Sequence, residues 1–143
     1  MHSGTNSFTL PPMTNSLALR IAAFFGFLAV ALGAFGAHSL RDILVRNGTV
    51  SIWDKAVLYH AIHTVMLFVL ATQTPLKKWS WFSFLIGIVV FSGSLYVLAL
   101  SNARWLGAIT PIGGISFLAG WACLAICPSK LRPNPSGGPN DPS

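Results

Sequence analysis

The sequence predicts an all-α membrane protein, a four-helix transmembrane bundle. Three observations lead there. Hydrophobic residues fill 53% of the 143 positions and charged residues only 8%, against about 25% charged in an ordinary soluble domain. The mean hydropathy is +0.65. The apolar residues fall into four runs of about 20 residues, the length that crosses roughly 30 Å of hydrocarbon. So few charges cannot coat a water-facing surface of this size. That excludes a disordered chain and a conventional cytosolic enzyme.

The net charge of +6 comes from nine Lys and Arg against Asp42, Asp54 and Asp141, with no Glu. The bases sit at the ends of the apolar runs, where they face anionic headgroups. They form no stripe along which phosphates would track, so the expected partner is the lipid bilayer and not a nucleic acid. No carboxylate lies inside an apolar run, which excludes proton relays or catalysis built on buried acids. Cys123 and Cys127 are four apart and share a helix face. That spacing suits neither a disulfide scaffold nor a zinc knuckle. They read as small packing residues, with palmitoylation near the interface as the alternative.

Residues 1–16 are polar and turn-rich, with Pro11-Pro12, and are expected to be disordered; Met13 is an alternative start. The first span is expected over 17–37, with Arg20 snorkelling to the headgroups. Ala22, Gly26, Ala29, Gly33 and Gly36 fall on one face of it, and such a stripe lets a second helix approach closely. Arg20, the apolar stretch and Ala34-Phe35-Gly36 also imitate a secretory signal peptide. The stretch is longer than a usual signal core and further spans follow, so a retained span is the reading adopted.

Leu40, Ile43 and Leu44 recur at helical spacing between Arg41, Asp42 and Arg46, which predicts a short helix at the interface. Asn47-Gly48 stops it. Ser51 as N-cap with Asp54 at the third position then predicts the start of a second span over 53–72. Pro75 lies in the turn after it. Trp79 and Trp81 read as an aromatic anchor for a third span over 79–100. The tight connection at 101–104 makes spans three and four antiparallel neighbours. The fourth span, 105–126, contains Pro111, which cannot donate to the carbonyl of Gly107. A kink is expected there, with Thr110 the nearest group to satisfy the freed carbonyl. Residues 128–143 form a Pro/Gly-rich tail expected to be disordered.

Four spans put both termini on one side, with Arg20, Lys77, Lys78, Lys130 and Arg132. Arg41, Arg46, Lys55 and Arg104 lie on the other. The positive-inside rule narrowly favours cytoplasmic termini.

Four segments together carry a resemblance. They are Gly33-Ala34-Phe35-Gly36-Ala37-His38, Tyr59-His60 with His63, Phe91-Ser92-Gly93-Ser94-Leu95-Tyr96, and Thr110-Pro111-Ile112-Gly113-Gly114. In this order and spacing the chain resembles the YgdD-like family, domain of unknown function 423, over about residues 17–125. The resemblance implies a small multi-span protein of the bacterial inner membrane, in a family that also has eukaryotic relatives. It implies no molecular activity.

His60 and His63 are helix neighbours near the membrane middle, where an unpartnered polar side chain costs a few kcal/mol. Both should face the bundle interior, with Tyr59 on the same arc. Three readings compete. The leading one is structural, with hydrogen bonds to Ser92, Ser94, Tyr96 or Thr110 on neighbouring spans. A second is a metal or haem site completed by His38. A third is a proton or small-solute path past the kinked fourth span. His38 itself reads as an interfacial residue beside Arg41.

The Thr110–Gly114 run lacks the lysine and the strand–turn–helix setting of a phosphate loop, so Gly113 and Gly114 read as packing residues. Ser92 and Ser94 lack the acidic partner of a catalytic triad. The sequence therefore points to a non-enzymatic membrane protein with no cofactor and no metal, an accessory or structural component that associates with a protein partner or with itself. The alternative is a small transporter or channel with His60 and His63 on its path.

Overall fold

The structure, a computed structural model, describes residues 14–126. Four helical segments in it are long and apolar enough to cross a membrane. The first is α1 (Asn15–Ala37). A short helix, α2 (Arg41–Asn47), leads to the second, α3 (Val50–Ala71). The third runs through α4 (Lys78–Gly87), a π-helical turn (Ile88–Ser92) and α5 (Gly93–Ser101). The fourth is a 3-10 turn (Arg104–Ala108) followed by α6 (Thr110–Ile126). No strand occurs among the described residues.

α1 starts earlier than the sequence suggests. Thr14 is its N-cap, accepting from the Leu17 N–H, so residues 15 and 16 are helical and not part of a disordered leader. Expectations for residues 1–13 and 127–143, Met13 and Cys127 included, lie outside the described residues.

The small-residue face of α1 lies against α3, and the two helices run antiparallel. Ala18, Ala22 and Ala29 are buried on it. Gly26 lies opposite Thr64 and Gly33 opposite Val57. At Gly36 a Cβ would come 2.1 Å from Trp53 Nε1, so only glycine admits the indole. Its N–H donates to the Leu32 carbonyl at 3.1 Å.

The connector also belongs to the packing. α2 buries Leu44 against Trp53 and Ala99, and Gly48 ends it in the left-handed region at φ 66°. The residue before α3 is Thr49, not Ser51, which lies inside the helix and is exposed. The Ser51–Asp54 spacing mimics a cap, but the chain turns earlier because Thr49 serves the neighbouring span. Its hydroxyl donates to the Ala99 carbonyl at 2.8 Å, and Asn47 Nδ2 donates to Ala99 and Leu100 at 3.1 and 3.0 Å. These bonds engage carbonyls at the end of α5 that have no partner within the helix.

The aromatic anchor splits. Trp79 is 82% exposed, but Trp81 is wholly buried and donates to the Leu67 carbonyl at 3.1 Å. Residues two apart on a helix look to nearly opposite sides. Trp81 is therefore a core residue tying the third span to the second.

The third and fourth spans interlock through rings seated on glycines. Phe117 of α6 sits on Gly87, Phe84 of α4 on Gly120, and Phe91 on Gly113. The pairs step in opposite directions along the two spans, which fixes an antiparallel register. The π turn carries Phe91, and its backbone comes so near that a Cβ on Gly113 would be 2.4 Å from Phe91 N. Pro111 causes no kink inside a continuous helix. The span changes from 3-10 to α form around Ile109, and Pro111 falls in the first turn of α6. A missing N–H costs little there because first-turn donors have no helical partner.

Candidate functional site

The polar residues of the spans separate into three groups rather than one cluster. The first centres on His63, which is 5% exposed. Its Nδ1–H donates to the Tyr59 carbonyl one turn back, at 2.8 Å. Its Nε2 accepts from the Trp121 indole N–H at 3.4 Å. A carbonyl only accepts and an indole N–H only donates, so both partners are met by the neutral ring with its proton on Nδ1. The ring stacks on Phe117, centroids 3.6 Å apart and planes 13° from parallel. Both nitrogens and one face of His63 are thus occupied by the protein itself.

The second group centres on His60, which is 3% exposed. Its Nδ1 meets the Tyr96 hydroxyl at 3.3 Å. The Tyr96 ring packs in turn on Trp53, 4.7 Å between centroids. On its other side His60 lies against Phe25 of α1, at 5.7 Å. Among the described residues its Nε2 has no hydrogen-bond partner, and the same holds for Thr64 Oγ1, Ser80 Oγ and Ser92 Oγ, all buried.

The third group joins the third and fourth spans. Ser94 Oγ donates to the Phe91 carbonyl at 3.0 Å and lies 3.0 Å from Thr110 Oγ1. Thr110 also approaches the Leu106 carbonyl at 3.4 Å. Two hydroxyl protons serve three contacts, so the longest is the weakest. Thr110 thereby reaches the Leu106 carbonyl, not that of Gly107.

Of the hydroxyls that sequence reasoning offered to the two histidines, only that of Tyr96 reaches one, His60. Ser92, Ser94 and Thr110 make none to either histidine. His38 is the C-cap of α1 and exposed. It sits two residues beyond Gly36, which abuts Trp53, so about 13 Å of helix rise separates its level from His60. No group of three or more His, Cys, Asp or Glu that could hold a metal occurs among the described residues.

Sequence reasoning missed Trp121, Phe117, Gly87 and Gly120. The available signal was the spacing of Gly113, Phe117 and Gly120 at helical intervals on one face, with Trp121 far from any expected interface.

Between α3 and α6 a groove of about 620 Å³ opens on the flank of the bundle. Leu58, Ile62, Ile115 and Leu118 form its exposed rim, and Tyr59, His63, Phe91 and Trp121 line it.

Comparison with known proteins agrees with this picture. The family model described as "Protein of unknown function (DUF423)" matches residues 32–114. The UPF0382 inner membrane protein YgdD of Escherichia coli K12 is 45% identical over 127 residues, covering 84% of this chain and 95% of the relative. A UPF0382 membrane protein of Staphylococcus haemolyticus is 42% identical over 119 residues, covering 80% and 97%. One from Staphylococcus epidermidis is 45% identical over 115 residues, covering 78% and 93%. No solved structure matches the chain. The chain belongs to the DUF423 family of integral membrane proteins, whose molecular function is uncharacterised.

Proposed function

We propose that this family member is a non-enzymatic component of the bacterial inner membrane, and that its intramembrane histidines are ties between its own spans. The observation that carries this reading is the saturation of His63. One nitrogen is held by Tyr59 and the other by Trp121, and the ring lies on Phe117. A metal needs a free imidazole lone pair, and at His63 that lone pair faces an indole N–H. A carrier or channel needs a wet path to His63, whereas this ring is 5% exposed, packs on Phe84, Phe117 and Trp121, and borders a groove lined mainly by apolar side chains. No observation favours the transport reading.

An accessory role in a membrane assembly fits the same geometry. The small-residue stripe of α1 is spent on α3, so a protein partner or second copy would meet the outward faces of α1 and α6. A smaller share of these two spans is buried than of the two between them.

The test is thermal unfolding in detergent of His60→Phe and His63→Phe, with metal and haem analysis of the wild type. The structural reading expects lower unfolding temperatures for both variants. It fails if both unfold like the wild type while the wild type carries stoichiometric metal or haem.

A further inference from the structure

The groove between α3 and α6 contains one feature that lipid tails cannot satisfy. Tyr59 is the tenth residue of the 22-residue helix α3, and so lies at the middle of a span. It is 40% exposed on the groove side. Its hydroxyl makes no hydrogen bond to any described residue, although its ring packs on Phe91 at 4.7 Å. A phenol cannot snorkel from the bilayer centre to water, since about 15 Å of hydrocarbon lies on either side. In hydrocarbon a free hydroxyl carries the full cost of its missing acceptor.

The walls specify more. The rings of Tyr59, Phe91 and Trp121 form part of the lining, with Tyr59 40% and Trp121 43% exposed, so the groove offers aromatic surface. Gly114 adds no side chain to the lining, and Trp121 adds its indole, whose N–H is directed to His63 at 3.4 Å. The volume of about 620 Å³ is that of a small-molecule pocket.

We propose that this groove binds a lipid-soluble ring compound bearing a carbonyl, of the quinone class, with the Tyr59 hydroxyl donating to the ring carbonyl. An acyl chain would fill the space but offers no acceptor, and a bare aromatic ring would stack but leave the hydroxyl unpaired. A ring carbonyl meets both demands. The site borders the His63–Trp121 pair but its recognition rests on the Tyr59 hydroxyl, so this proposal and the structural role given to the histidines can fail separately.

The experiment measures the unfolding temperature of the detergent-purified full chain against decylubiquinone, with decylbenzene as the matched probe that lacks a carbonyl. Ligand binding raises the unfolding temperature saturably. Decylubiquinone is expected to do so and decylbenzene is not. Tyr59→Phe removes only the hydroxyl and should weaken decylubiquinone about threefold to tenfold. Ile115→Trp, at a rim position 66% exposed, should block binding without entering the core. Four results overturn the proposal. They are no saturable rise, an equal rise with decylbenzene, unchanged binding by Tyr59→Phe, and crosslinking of two copies across the groove in membranes.

Discussion

The seam between α1 and α3 and the seam between α4 and α6 both rest on small residues, yet they use them differently. On α1 the stripe is continuous and lies on a single helix. A Cβ on Gly26 or Gly33 would meet α3 at 3.6 or 3.4 Å, which is ordinary contact, and only Gly36 is a tight socket. On the other seam the glycines are divided between the two spans, and Gly87, Gly113 and Gly120 would each bring a Cβ within 2.7 Å of its neighbour. The first seam lets two helix backbones approach. The second locks their register, because each ring fits one socket. One added methyl group should therefore cost little at Gly26 and much at Gly113, although both substitutions are glycine to alanine in an apolar helix.

The largest effect is expected at Gly113→Ala. The obstacle is the Phe91 backbone, which cannot rotate away, and overpacking of this kind costs about 3 kcal/mol. Denaturant unfolding in micelles measures it, and a loss no larger than that of Gly26→Ala would erase the distinction between the seams. Gly120→Ala comes next. There a Cβ would lie 2.7 Å from the Phe84 ring, which is a side chain and can shift, so we expect about 1–2 kcal/mol. Adding Phe84→Leu should recover part of that loss, and failure to recover it would place the strain elsewhere. Trp121→Phe removes the donor to His63 and keeps a ring. Its expected cost is about 0.6 kcal/mol, the usual size of a side-chain hydrogen bond between spans. Gly26→Ala is the smallest. It should change stability by less than about 0.5 kcal/mol, since the methyl finds ordinary contact and alanine favours the helix by a similar amount.

What could be read from the sequence follows the same division. Span lengths, the α1 stripe and the Gly48 stop are properties of single segments, and each is written as a local pattern. Partners across spans are not. His60 and His63 are three apart and so lie about 60° apart around the helix, enough for His60 to meet Tyr96 and Phe25 while His63 meets Trp121 and Phe117. Hydroxyls looked like the natural partners of both rings, but Ser94 and Thr110 satisfy each other. The sockets at Gly87 and Gly120 were invisible because each glycine's meaning depends on a ring in another span. Thr49 was passed over because its hydroxyl serves the end of α5.

A double-mutant cycle between His63 and Trp121 tests most directly the claim that the histidines bind the spans to one another. His63→Phe keeps a ring on Phe117 but also loses the bond to the Tyr59 carbonyl, a loss shared by the single and double variants that cancels in the cycle, and Trp121→Phe keeps a ring in the lining. Unfolding free energies in micelles should show the double variant losing about 0.6 kcal/mol less than its two parents combined. Losses that simply add would mean that the two side chains ignore each other, and the account of His63 as a tie between the second and fourth spans would be wrong.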